Sequence, residues 1–164
     1  MSGITPTLIA LWIHIPLITA WIGLVLFDVL TLLVPGLTVE QRARMIAWSR
    51  PFVGIAMPII LITGIMQSID NPVRPIESFA DLIVLKSTTV YGYALFWKHG
   101  FVLATFALTT FARFWVAPRL VAMTGRSDGT SAGLERTLFL ASAANLAACL
   151  GALIFATRMV WDLH

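Results

Sequence analysis

Four apolar runs, over residues 6–34, 51–69, 88–117 and 134–160, take up most of a chain of 164 residues. Each approaches or exceeds the roughly 20 residues that a helix needs to cross the hydrocarbon core of a bilayer. Too little sequence is left over for a separate soluble domain, so 1–164 reads as a single transmembrane domain. With 59% hydrophobic and only 12% charged residues, the chain lies far from the composition of a soluble globular protein. The runs are continuous and do not alternate, which argues against the strands of a membrane barrel. The expected fold is all-α, an integral membrane four-helix bundle. The first run follows no basic segment and no small-residue cleavage pattern, so it is expected to be retained as a span.

The connections carry their own signals. Pro35-Gly36 ends the first run, and Thr38-Val39-Glu40-Gln41 has the form of a capping box opening a short amphipathic helix. Ser78 with Asp81 predicts another cap, with a short interfacial helix over 79–86. Pro16 is expected to bend the first helix just past His14, and Pro118 to end the third span. The segment 125–133, rich in glycine and serine, reads as a flexible loop.

Arg42, Arg44, Arg50, Arg113, Arg119, Arg126 and Arg136 fall on one side of the spans, and Arg74, Lys86, Lys98 and Arg158 on the other. The positive-inside rule then puts the first and third connections in the cytoplasm. Both termini are expected on the periplasmic side of a bacterial inner membrane. The net charge of +3 is spread over span ends and forms no basic patch, so the partner it implies is the lipid bilayer and not nucleic acid.

Ionisable residues inside spans are rare and face the bundle interior or a cavity. His14, Trp21 and Asp28 recur every seven residues in the first span, and His99, Phe106 and Arg113 do so in the third. At roughly 100° per residue, seven positions bring a side chain back to nearly the same face. If the two spans are parallel neighbours, histidine meets histidine at one level, and aspartate meets arginine about 21 Å further in at 1.5 Å per residue. The inner pair is expected to be a structural salt bridge, with a proton path as the alternative.

For the outer pair, neutral imidazole is a good ligand for haem iron and an acceptable one for copper. Ala20, Gly23, Gly92, Ala94 and Gly100 leave room nearby, and Lys98 and Arg158 near the outer end are candidates for the haem propionates. A copper site would add the thioethers of Met66 or Met159. The plainer alternative is that His14 and His99 only hydrogen-bond across the bundle. Gln67 and Asn145 are expected to be helix-to-helix hydrogen-bond partners. The lone Cys149 offers neither a disulfide nor a CxxC motif. No P-loop, GxSxG, HExxH or Rossmann pattern occurs, so nucleotide-binding and hydrolase readings have no support.

Leu11-Trp12-Ile13-His14 followed by Ala20-Trp21-Ile22-Gly23, with Leu61-Ile62-Thr63-Gly64 in the second span and Ala144-Asn145-Leu146 in the fourth, resembles the CopD-like (copper resistance protein D) membrane proteins. The resemblance covers most of the chain and implies copper handling across the inner membrane or at its periplasmic side, with His14 matching the family's first-helix histidine. The extra spans and Met-rich segments of full-length members are not present. The first-helix pattern is also similar to the small four-helix protoporphyrinogen oxidases that carry b-type haem, where His14 again corresponds to the first-helix histidine. Their Pro-Arg-Leu step is replaced here by Phe27-Asp28-Val29.

The leading expectation is one b-type haem between the first and third spans, with His14 and His99 as axial ligands. Two imidazoles leave no open coordination position, which points to electron transfer more than to catalysis. CopD-like copper binding or transport is the first alternative. A structural subunit of a larger membrane complex is the second, docking through the small-residue face of Ala141, Ser142, Ala144, Ala148, Gly151 and Ala152. A redox partner, a larger complex and a homo-oligomer are the protein partners these readings admit.

Overall fold

A computed structural model describes residues 5–70, 76–123 and 130–161. Helix α1 (Pro6–Leu33) opens on Thr5, whose hydroxyl accepts from the Leu8 amide at 3.3 Å, and Pro6 occupies the first turn, where its missing N–H is no loss. It continues through Pro16 as one helix. Helix α2 (Val39–Trp48) and helix α4 (Phe79–Thr88) each begin with a complete capping box, Thr38 with Gln41 and Ser78 with Asp81. Between them lies α3 (Arg50–Ile69). Helix α5 (Val90–Thr110), capped by Thr89, runs through a π-helical turn (Phe111–Val116) into α6 (Ala117–Ala122), and α7 (Thr130–Trp161) closes the chain. No strand occurs among the described residues.

The four helical segments Pro6–Leu33, Arg50–Ile69, Val90–Ala122 and Ser131–Met159 are long and apolar enough to cross a membrane. Their outward faces leave Ile9, Ile55, Ile62, Leu103 and Ile154 exposed, a surface suited to lipid and not to water. Two boundaries differ from expectation. The third span does not end at Pro118 but continues to Ala122, for a reason given with the inner layer below. The fourth helix begins at Thr130, so 130–133 are helical and not loop; the rest of that loop, with Arg126, and Arg74 in the second connection lie outside the described residues.

Helix α1 packs along α3 and α7, α5 packs along α7, α4 folds back on α5, and α2 lies against α6. The first and third spans are therefore not side-by-side neighbours. They face one another across the interior and meet through long side chains, as in the edge-to-face pair of Trp21 and Phe106, with ring centroids 5.0 Å apart. An antiparallel register between α5 and α7 is fixed by two polar contacts, Asn145 Nδ2 donating to Thr109 Oγ1 at 2.8 Å and Thr105 Oγ1 beside Cys149 Sγ at 3.6 Å. Apolar packing fills the inner half of the bundle around Leu32, Ile46, Val116, Leu120 and Leu138. A second cluster, including Val25, Val53, Ile60 and Phe106, forms the floor of the outer half.

Candidate functional site

Two polar layers sit inside the bundle. In the inner one Arg113, with no exposed surface, donates from Nη2 to Asp28 Oδ1 and from Nε to Ser49 Oγ, both at 2.8 Å. Ser49 is the hinge between α2 and α3 and passes its own hydrogen to the Ile46 carbonyl at 3.0 Å. Three spans are thus tied at one level. The π-turn explains why Pro118 does not stop the third span. In that wider register the Ala117 amide bonds the Ala112 carbonyl, and the next bond would run from residue 118 to the Arg113 carbonyl. Proline has no hydrogen to give. Arg50 Nε donates to the Arg113 carbonyl instead, at 2.8 Å, so the helix continues with no loss at that position.

The outer layer is a cavity of about 550 Å³ walled by α1, α3, α5 and α7, within the range of small-molecule and cofactor sites. His14 and His99 both line it. His14 Nδ1 lies 2.7 Å from Thr63 Oγ1, and that hydroxyl already gives its hydrogen to the Ile59 carbonyl, also at 2.7 Å. With the hydroxyl hydrogen so placed, the imidazole is the donor. His99 Nδ1 lies 2.7 Å from the Leu95 carbonyl, which can only accept. In their neutral forms both rings thus carry the proton on Nδ1 and the lone pair on Nε2. The hydrogen bonds with known ring atoms run through Nδ1 in both histidines, and the Ile60 backbone is a further partner of the His14 ring. Gly64 lies against the first ring, where a Cβ would be in ordinary van der Waals contact with His14 Cε1 at 3.4 Å.

Lys98 also lines the cavity and acts electrostatically on both imidazoles. Met159 is in the wall; Met66 is not. Arg158 is exposed on the outside of α7 and does not line the cavity. Among the described residues no three of His, Cys, Asp or Glu gather at one point to hold a metal ion; the donors on this cavity suited to a soft metal are the two histidines, Met159 and Cys149, whose Sγ stands 3.6 Å from Thr105 Oγ1. Gln67 departs from the helix-to-helix role expected of it. Its side chain lines the cavity, and its buried Nε2 has no partner in the protein. Asn145 does bridge helices, through Thr109. Apolar wall residues Leu11, Ile15, Leu61, Ile65 and Leu153 are themselves exposed on the bundle surface, so the cavity also opens sideways, toward lipid.

Thr63 is the contributor that the sequence reading overlooked. It stands in the quoted Leu61-Ile62-Thr63-Gly64 stretch, and the signal was a hydroxyl next to a glycine in an apolar span at the depth of a histidine. In comparisons with known proteins, no protein family, curated protein or solved structure matches this chain.

Proposed function

We propose that the outer cavity holds one b-type haem, with His14 and His99 as axial ligands, and that the protein transfers electrons at the periplasmic face of a bacterial inner membrane. One observation carries this reading. Two imidazoles from opposite sides of the bundle line the same cavity, each with Nδ1–H committed to an oxygen acceptor and the lone pair on Nε2. That is the state in which histidine ligates a metal, and the acceptor behind each ring fixes its orientation and raises its basicity. The apolar wall suits a macrocycle, and Lys98 supplies a cation for a propionate. Haem held by His14 and His99 would supply one-electron chemistry. The residues of this chain would supply the two ligands and their orientation.

The test is a dithionite-reduced minus air-oxidised visible spectrum of the purified protein beside His14→Ala and His99→Ala. A sharp reduced α-band in the parent, lost in both variants, is the expected result. A featureless parent spectrum from haem-replete cells would overturn the reading, and copper bound in its place would favour the CopD-like alternative, with Met159 as the third donor. A further expectation concerns the ring that Thr63 orients. Thr63→Val should keep the α-band while weakening haem retention by about 10-fold. It should also raise the midpoint potential, because an imidazole without its Nδ1 acceptor is a poorer donor to the oxidised iron. Unchanged retention and potential would show that Thr63 plays no part in the site.

A further inference from the structure

We infer that Gln67 is a positioning residue for the acidic edge of the ligand, donating from its side-chain amide to a carboxylate at the outer end of the cavity. This assignment rests on the haem reading and deepens it by fixing which way the macrocycle faces.

Gln67 lies on α3, four residues beyond Thr63 and three beyond Gly64. Those spacings place it on the same helix face as the anchor of His14, one turn nearer the outer end. Other donors at that end are already engaged. The Thr7 hydroxyl bonds the Asp70 carboxylate, joining α1 to α3, and the Ser68 hydroxyl donates to the Gly64 carbonyl at 3.0 Å. Gln67 differs from them. Its side chain lines the cavity, and its Nε2 is out of reach of solvent with no acceptor in the protein. An NH2 group buried without an acceptor is costly, and no ligand reaches it where it stands, so the amide gains by turning. A half-turn of the terminal amide about its last torsion presents the NH2 group to the cavity. Across the cavity, Lys98 contributes an ammonium group to the same wall. A neutral donor on α3 and a cation on α5 suit a ligand with an apolar body and a carboxylate edge. The propionates would then point outward, between Gln67 and Lys98.

The experiment compares haem b with its dimethyl ester, in which both propionates are capped, in the full-length parent and in Gln67→Leu. Loss of porphyrin to excess apomyoglobin is followed by absorbance. The expected result is that Gln67→Leu speeds loss of haem b roughly 10-fold, as for a hydrogen bond to a charged group, and speeds loss of the dimethyl ester, whose carbonyls are neutral and weaker acceptors, clearly less. Gln67→Glu keeps the size of the side chain and sets a carboxylate against a carboxylate. It should release haem b faster still, which supplies the answer if the leucine variant does not accumulate. Equal acceleration for both porphyrins would mean that Gln67 only packs, and no acceleration for either would mean that it touches nothing; each result overturns the assignment. A parent chain that binds haem b with an α-band while Gln67 proves silent leaves the cofactor reading standing. A parent with no band at all defeats both.

Discussion

Asp28→Leu is expected to cost the bundle roughly 3–5 kcal/mol, and adding Arg113→Met to the same chain is expected to return most of it. Arg113 has no exposed surface and Asp28 has 1%. Removing the carboxylate leaves a guanidinium in an apolar interior with only Ser49 on its Nε. Replacing both partners with apolar side chains removes the uncompensated charge along with the pair, and such replacements are often neutral or better. Unfolding of the purified protein in a graded SDS titration reads the difference. If the single variant unfolds like the parent, or the double variant is less stable than Asp28→Leu alone, the ion pair is not what holds this layer together.

The second large effect is expected at Gly92. A Cβ there would stand 2.1 Å from the Leu85 carbonyl oxygen and 2.6 Å from Leu85 Cγ. The obstacle is backbone where α4 turns into α5, so no side-chain rotation relieves it. Gly92→Ala should therefore cost at least the upper part of the roughly 1–3 kcal/mol range for overpacking, and should free α4 from α5 as early proteolysis near Thr88. Gly151→Ala is the control. Its Cβ would meet the Phe101 ring at 2.9 Å, a side chain that can move, and the loss should be clearly smaller. Equal losses at the two sites would mean that the α4–α5 junction is more compliant than its geometry implies.

Much of this architecture is legible in the sequence because the bilayer restricts the choices. A run of apolar residues long enough to cross a membrane has few alternatives to a helix, and the capping boxes at Thr38 and Ser78 depend only on residues three apart. Which face of a span points inward is also readable, since Asp28 and Arg113 share the seven-residue spacing of His14 and His99. What the sequence does not carry is which helix lies next to which. Periodicity gives a direction and no neighbour, so the placing of α1 and α5 across the interior from one another came from the structure.

Nor could the chain announce the π-turn. It depends on Arg50 supplying a hydrogen to a carbonyl 63 residues away in place of the one that Pro118 lacks. The cavity wall was missed by single positions. Gln67 lines it and Met66 does not, and Met159 lines it while Arg158 is turned away. One residue along a helix is a rotation of about 100°, enough to exchange the inside of a bundle for its surface.

The contrast between the two halves of the bundle has a consequence for electrical work. The inner half is packed with apolar side chains and tied by a neutral ion pair, while the outer half surrounds an open cavity. A membrane voltage falls mainly across the part of a protein that excludes water and mobile ions, at about 2.3 kcal/mol per elementary charge for each 100 mV crossed. Here that part is the inner half. An electron delivered from the outer face to the histidine layer would cross little of the field, so the resting potential of the cell would neither drive its arrival nor oppose it.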